Sequence, residues 1–466
     1  MVRTAVAPMP PRHPAQRHSR RRGRCASSRD SVRGQALALL LPLVAALGAA
    51  LLLVFDSGQA ASEKQRLVDA TDAAALSAAA WQARALNFES YMNRAIVANE
   101  AAIGQSVSLR SWSSYMNRVL PVASVLTSWI PGLRDATLAL QRIWRGFDQA
   151  LQPSLGAFEG SLSLADHELA AAQRFMHAAT LEVVPATVRA VLAANDPRYR
   201  LTRGGEALLA QWALEWNSFT SSYGGAWRWR QADLVERSLD GFTMARGHTF
   251  APPLAGQLVR LEKRGGTELL DFETWRGVDT LSIHTRTGLL IGALRERTPL
   301  AWGAAENGEF NPRQASHGGS RRTNPRATRL ALASRVPSRL YRGLPSLRDL
   351  SVAQRERFEP PVLGVRAAAD GDALALANSV LRIGRLVDLV GERHDAQALR
   401  GGDRFYAQSA ATTRFVRIEE RADGAEEGPS LFNPYWQGRL TAVSAGAYSL
   451  AAALDDAWVA PLGVLP

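Results

Sequence analysis

The sequence Gly34-Gln35-Ala36-Leu37 opens an apolar run that continues to Phe55. No position from 36 to 55 carries a charged side chain. Because an α-helix rises about 1.5 Å per residue, this run spans roughly 30 Å, the thickness of the hydrocarbon core of a bilayer. The run therefore predicts one transmembrane helix over residues 34–56, hereafter the anchor, on which the rest of the chain is built.

The positive charge of the chain is concentrated before the anchor. The formal net charge is +12 and the sequence pI is about 10.6, but residues 1–33 alone hold nine arginines and one aspartate. Such a basic, apolar-poor segment predicts a disordered tail, and the positive-inside rule keeps it in the cytoplasm. Since most of the excess charge sets topology, the composition does not indicate nucleic-acid binding. The chain after the anchor is predicted to be exported, as a single-pass protein of a bacterial inner membrane with a periplasmic main domain.

The exported part has no cysteine, because the only one, Cys25, lies in the basic tail. An internal disulfide is therefore excluded even in an oxidising compartment. The stability of the exported part must come from its core.

The sequence allows three possibilities for processing of the N-terminus: cleavage at either of two positions, or no cleavage. A signal peptidase could cleave near Gly58-Gln59-Ala60, although the apolar run is longer than an ordinary signal core. A prepilin-type peptidase could process after Gly34, but Leu39 stands where prepilins carry glutamate. We therefore favour retention of the whole anchor.

Residues 57–195 predict a helical stem. Residues 62–117 contain no proline and are rich in alanine, leucine, glutamate, glutamine and arginine, which are strong helix formers. We expect a break in the helix near Ser57-Gly58. Further helices are predicted at 133–147 and 162–192, and the expected interruptions are at Pro121, Pro131-Gly132 and the turn 194–197.

Residues 196–466 predict an α+β head. Short stretches with alternation or β-branched residues indicate strands at 241–246, 257–263, 278–285, 328–334 and 405–418. A long loop is predicted at 303–326 and a helix at 374–389. Trp212, Trp216, Trp227 and Trp229 are interpreted mainly as core residues rather than as an exposed binding surface. The fold class is thus α+β, with a single transmembrane helix that continues into a helical stem and an exported head.

Two parts of the sequence resemble the TadE/TadG-like proteins of bacterial Flp pilus (tight-adherence) assembly. Arg33-Gly34-Gln35-Ala36-Leu37, the apolar run, and Asp69-Ala70-Thr71-Asp72-Ala73-Ala74-Ala75-Leu76 follow one another as in that family. Leu431-Phe432-Asn433-Pro434-Tyr435-Trp436-Gln437-Gly438 is similar to a segment of its longer members. The resemblance implies a pilus-assembly or secretion component whose partners are the lipid bilayer and pilin-like or other assembly subunits.

Small residues mark the predicted packing positions. Ala45, Gly48 and Ala49 lie in the anchor, and Ala73 and Ala74 lie in the stem. Small side chains let helices approach closely, so this set is predicted to contact the membrane or a partner subunit. The alternative is that these residues only fill the helix surface.

No local motif predicts catalysis, a metal or a cofactor. Asp56-Ser57-Gly58 superficially resembles a von Willebrand A metal motif, but glycine stands at the serine position. Asp166-His167-Glu168 is a weak candidate, since neighbours on a helix point in different directions. His394-Asp395 is a lone adjacent pair, and His284 lies in a predicted strand, where a histidine is more often structural. We therefore expect a non-enzymatic protein with no identified small-molecule substrate. The alternative is a membrane-anchored cell-envelope enzyme, most plausibly a hydrolase.

Overall fold

The computed structural model describes residues 35–253, 256–286, 294–309, 324–369 and 405–456. Its helices within these ranges are α1 (Gln35–Leu126), α2 (Leu133–Asn195), α3 (Arg203–Phe219), α4 (Arg228–Arg237), α5 (Pro325–Ala333), α6 (Val352–Glu356) and α7 (Ala445–Asp456). Its strands are β1 (Tyr199–Leu201), β2 (Thr220–Ser222), β3 (Arg246–Phe250), β4 (Val259–Leu270), β5 (Thr274–Thr285), β6 (Arg295–Gly308), β7 (Val336–Ser338), β8 (Arg348–Leu350), β9 (Val362–Ala369), β10 (Tyr406–Phe415) and β11 (Trp436–Thr441).

Helix α1 runs without interruption from the apolar segment into the stem. The predicted break near Ser57-Gly58 is wrong, because Ser57 and Gly58 are both helical. Ser57 Oγ donates a 2.9 Å hydrogen bond to the carbonyl oxygen of Val54, which keeps its hydroxyl within the helix. One glycine costs a helix only about 1 kcal/mol relative to alanine, and the strong helix formers on both sides offset that cost.

The stem is a hairpin of two long helices. Pro121 lies inside α1, so the predicted interruption there is wrong, and the two predicted later helices are joined in α2. The chain reverses instead at Pro131-Gly132, where Gly132 has φ +79°, a conformation that favours glycine. The turn that follows Asn195 ends α2, as predicted.

Two sheets pack against α1. The first is antiparallel with the order β1-β9-β10-β11, and it pairs Ala410 with Gly364 on one side and with Thr441 on the other. The second has the order β3-β4-β5-β6-β7 and is antiparallel except for the parallel β6–β7 pair. Strands β2 and β8 form a separate antiparallel pair.

The strand predictions are partly confirmed. Strands β5 and β10 contain the predicted 278–285 and most of 405–418, and β4 begins at Val259 within the predicted 257–263. In contrast, 241–245 forms a turn and 328–333 lies in α5. Pro325 at the first turn of α5 has a fixed φ that suits a helix start, and this outweighs the β-branched Thr328.

The predicted loop at 303–326 is wrong at its beginning, because Gly303 to Gly308 complete β6. Gly303 has no side chain, so β6 can approach the backbone of α1. A Cβ atom at this position would lie 2.2 Å from the backbone nitrogen of Tyr115. The predicted helix at 374–389 lies outside the described residues.

Two hydrophobic cores are built on α1. The first joins α1 to α3 and the first sheet, and its largest fully buried side chains include Trp212, Trp216 and Phe219. The second joins α1 to α4 and the second sheet around Trp275. Trp212 and Trp216 confirm the core interpretation, whereas Trp229 is 59% exposed. Stem and head therefore share their cores along one helix.

Candidate functional site

The first part of α1 is an apolar helix that nothing in the described structure covers. Its large side chains are exposed by 37–74%: Leu39, Leu40, Leu41, Leu43, Val44, Leu47, Leu51, Leu52, Leu53, Val54 and Phe55. The most apolar window of α1 has a mean hydropathy of 2.4 and no buried residue. A soluble protein buries such a helix, whereas a bilayer accepts it.

Helix α2 is also long enough and apolar enough to cross a membrane, although its mean hydropathy is lower, at 1.2. However, 28% of its most apolar window is buried, and it contributes Val184, Val188 and Leu192 to the first core. We therefore interpret α2 as a core helix and the start of α1 as the membrane-associated segment.

The exposed segment passes into the core within a few turns. Leu67 is the first fully buried apolar side chain of α1, and Ala70 and Ala74 follow it at helical spacing. Lys64 Nζ donates to the carbonyl oxygen of Tyr406 in β10, and Ser409 Oγ donates to Thr71 Oγ1 at 2.9 Å. Burial, together with the nearby Arg366 charge, lowers the pKa of Lys64. The apolar segment is thus joined to the head by a helix that is held against the first sheet.

The small residues of the predicted packing set have different surroundings. In the anchor, Ala45 and Gly48 are exposed and Ala49 is half-buried. In the stem, Ala73 is half-buried and Ala74 is fully buried in the first core of its own chain. A contact of these residues with another subunit stays a prediction. Gly34, the predicted processing position, lies outside the described residues.

Small residues in the stem receive strands of the same chain. Gly438 in β11 lies so close to α1 that a Cβ atom there would be 2.8 Å from the backbone nitrogen of Ala80. Strand β11 therefore packs directly against the backbone of α1 near Ala80. Trp436 in this strand is buried in the first core, and its indole Nε1 donates to the carbonyl oxygen of Ser430 at 3.2 Å.

Two buried carboxyl groups lie on the two helices of the hairpin. Glu100 of α1 accepts hydrogen bonds from Trp275 Nε1 at 2.8 Å and from the Tyr341 hydroxyl at 2.9 Å. Asp166 of α2 accepts one from Asn99 Nδ2 at 2.7 Å. Burial raises the pKa of Glu100 to about 7, and burial with the Glu100 charge raises the pKa of Asp166 to about 8. Sequence reasoning missed Glu100, since its partners are distant in the chain.

The other weak chemical candidates have structural contacts. His167 Nδ1 lies 2.9 Å from the carbonyl oxygen of Ser163, and Glu168 is exposed, so neither joins Asp166. His284 is buried, with Nε2 2.7 Å from Asn324 Oδ1. His394 lies outside the described residues. Within the described ranges, no group of three or more histidine, cysteine, aspartate or glutamate side chains could hold a metal ion.

The motif Asp56-Ser57-Gly58 lies within α1. A von Willebrand A motif follows a strand and presents its serines in a loop, so this helical setting does not fit it. Elsewhere, a groove of about 500 Å³ runs along α1, lined by residues that include Arg94, Ala98 and Gln105. Glu100 and Asp166 are absent from its lining.

Comparison with known proteins identifies the class of the N-terminal segment. Residues 34–82 match the family model described as putative Flp pilus-assembly TadE/G-like. The match covers about a tenth of the chain, from the start of the apolar segment to the first buried turns of the stem. No curated protein and no solved structure matches the chain.

Proposed function

We propose that the chain is a non-enzymatic component of Flp-type pilus assembly or of the related secretion machinery, anchored in the inner membrane by the first turns of α1. The observation that carries this proposal is the coincidence of two features. The exposed apolar helix and the family match occupy the same residues, and the match extends to the point where α1 enters the core.

The proposed topology is a single pass, with residues 1–33 in the cytoplasm and the head in the periplasm. The nine arginines before the anchor support this orientation, because basic residues flanking a span remain on the cytoplasmic side. The domain division into tail, anchor, stem and head follows the same proposal.

The continuity of α1 supports a mechanical role. No flexible break separates the apolar segment from Leu67, so the position of the head is tied to that of the anchor. A subunit that binds the anchor in the bilayer would thereby fix the orientation of the head. Protein contacts through a rigid helix, rather than turnover of a substrate, are what this arrangement provides.

A complementation experiment tests the proposal. In a strain that lacks this gene, the variant Leu47→Arg with Leu51→Arg places two charges in the anchor, each of which costs about 2.5–3.5 kcal/mol at the centre of a membrane helix. We expect loss of membrane retention and of piliation. Leu214→Arg is the matched control, because Leu214 is 76% exposed on α3 of the head. Normal piliation with the charged anchor would contradict the proposal.

A further inference from the structure

The turn of the stem hairpin is uncharged and largely exposed. Near the end of α1, Arg118 donates to the carbonyl oxygen of Trp302 in β6 at 3.0 Å. Beyond it, residues 119–133 contain no charged side chain. Val125, Leu126 and Trp129 are 65–79% exposed there.

An apolar stripe continues from this turn along α2. Its members repeat at alternating spacings of three and four residues and are all exposed: Leu133, Ala136, Leu140, Ile143, Phe147 and Ala150. These are the a and d positions of a heptad repeat, with Leu133, Leu140 and Phe147 at a. We call this set the α2 seam. The a/d spacing is that of a stripe that packs against a partner helix.

The face of α2 that packs on α1 adjoins the seam, because Trp144 lies on that face and its ring centroid is 5.3 Å from that of Phe147. Trp144 packs edge-on against Trp112 of α1 with ring centroids 5.4 Å apart, and its indole donates to the carbonyl oxygen of Ser113 at 3.2 Å. Asp148 accepts hydrogen bonds from Ser113 Oγ and Asn117 Nδ2, each at 2.6 Å. These contacts hold α2 against α1, while the seam stays outside the hairpin.

The charges near the seam lie off its contact line. The e and g positions that flank it are Thr137, Ala139, Trp144, Gly146 and Leu151, all uncharged. Arg142 and Arg145 occupy c and f positions, which at about 100° per residue point away from the seam. Two identical seams can therefore meet without like charges facing each other. Seams that select a different partner commonly use complementary e and g charges.

The area is of the size that self-association requires. The large exposed side chains of the turn and the seam present on the order of 700 Å² of apolar surface, close to the roughly 800 Å² that each partner contributes to a standard interface. A typical monomer exposes a largest patch of about 300–600 Å².

We infer that the α2 seam pairs with the α2 seam of a second copy of this chain, in parallel and in register. The register rests on the membrane anchor of the proposed function. From Phe55 to Leu126, α1 rises roughly 105 Å, so two copies anchored in one bilayer hold their hairpin turns at the same height. Each seam residue then faces its own counterpart around a two-fold axis.

Cysteine cross-linking of the full-length protein in its membrane tests the pairing. In a Cys25→Ser background, Leu133→Cys and Ile143→Cys are introduced singly and oxidised mildly. We expect most of each variant to become a covalent dimer. Arg142→Cys and Gln149→Cys are the controls, since both positions are exposed but off the seam, and both are expected to stay monomeric.

Several outcomes would overturn the inference. One is equal cross-linking at the seam and control positions, and another is no cross-linking at either seam position. A third is cross-linking at Ile143→Cys alone, which would indicate an antiparallel pair. Quenching of a fluorophore on the Ile143→Cys variant by brominated lipid would also overturn it, because the seam would then face a bilayer.

A further variant separates pairing from folding. Ile143→Glu in the Leu133→Cys, Cys25→Ser background is expected to abolish the cross-link with an unchanged melting temperature, since Ile143 is 70% exposed. Retention of the Leu133→Cys cross-link in the Ile143→Glu variant would contradict pairing through the α2 seam. The share of protein in the membrane fraction is measured on the same samples. Soluble protein would contradict the anchor of the proposed function, whereas retained protein without seam cross-links overturns this inference alone.

Discussion

The indole Nε1 of Trp275 donates a 2.8 Å hydrogen bond to the carboxyl group of Glu100, joining β5 to α1 in the protein interior. The Tyr341 hydroxyl bonds the same carboxyl group. All three side chains are buried in or beside the second core. A long helix that begins as an exposed apolar segment is therefore fixed to the head by a buried polar contact more than 40 residues further along.

Glu100 makes the stability of the protein depend on pH. Burial raises its pKa from an ordinary 4.5 to about 7, so the folded state holds a proton that the unfolded chain releases. The resulting stability is fully present below about pH 4.5 and is lost as the pH rises through 7, by about 1.4 kcal/mol for each unit. Glu100→Gln is expected to reduce the slope of the urea-unfolding profile between pH 5 and 7, while Asp166, whose pKa is raised to about 8, still contributes a slope of the same sign. The exposed Glu182→Gln is the control, and an unchanged slope in Glu100→Gln would contradict the assignment.

Of the charged side chains discussed, Asp279 is the one whose substitution is expected to lower the free energy of unfolding most. It is fully buried and bonded by Arg246 at 2.6 Å, Lys263 at 2.5 Å and Ser111 Oγ at 2.5 Å. Burial alone would raise the pKa of Asp279, but the nearby charges of Arg246 and Lys263 lower it. Asp279→Asn leaves two cations without their partner, and we expect a loss of about 3–5 kcal/mol in the free energy of unfolding.

The control for that variant is Asp233→Asn on the surface of α4. Asp233 pairs with Arg237 at 2.8 Å, but both side chains are more than half exposed. A surface ion pair contributes only about 0–1 kcal/mol, so urea unfolding should barely change. Equal losses of unfolding free energy in Asp279→Asn and Asp233→Asn would show that the buried ion pairs of Asp279 stabilise the protein no more than a surface ion pair does.

Gly303 is predicted to tolerate no side chain. The Cβ atom of Gly303→Ala would lie 2.2 Å from the nitrogen of Tyr115 and 2.4 Å from the carbonyl oxygen of Ser111, both backbone atoms of α1. Strand β6 would have to leave the helix, so we expect little folded protein. Gly446→Ala in α7 meets nothing within 4 Å and should stabilise by about 0.5–1 kcal/mol. Thermal unfolding of both variants measures the contrast, and a stable Gly303→Ala protein would refute the close approach.

Ala74 and Gly48 are expected to respond differently to added bulk. Ala74→Leu introduces three carbon atoms into the first core, where overpacking costs about 1–3 kcal/mol. Gly48→Leu adds its side chain where nothing lies within 4 Å and should leave folding and membrane insertion unchanged. Protein abundance and melting temperature distinguish the effects of the Ala74→Leu and Gly48→Leu substitutions.

Loss of piliation by Gly48→Leu at normal abundance would support a partner at the anchor. Wild-type piliation would indicate that Gly48 only faces lipid.

The sequence predicts those features that depend on neighbouring residues. The apolar run, the turn after Asn195 and strands β5 and β10 were all marked by local composition or alternation. The predicted break at Gly58 is wrong because glycine costs a helix little when its neighbours favour the helix. The predicted loop at Gly303 is wrong because the need for a small residue comes from α1, which lies far away in sequence.

The buried charges escaped sequence reasoning for the same reason. Glu100 meets Trp275 and Tyr341 across 175 and 241 positions, and Asp279 meets Ser111 across 168. No spacing rule within a helix or strand relates such residues. The α2 seam, in contrast, is a local heptad pattern, and only the structure shows that its positions are exposed rather than packed.

The proposed function requires that α1 is a membrane anchor that is retained in the mature protein and is continuous with the head. Fractionation of cells that produce the native protein, with an alkaline wash of the membranes and an intact-mass measurement, tests it most directly. We expect the washed membranes to contain a chain whose mass includes the whole apolar segment. A soluble chain whose N-terminus lies at Ala61 would contradict it.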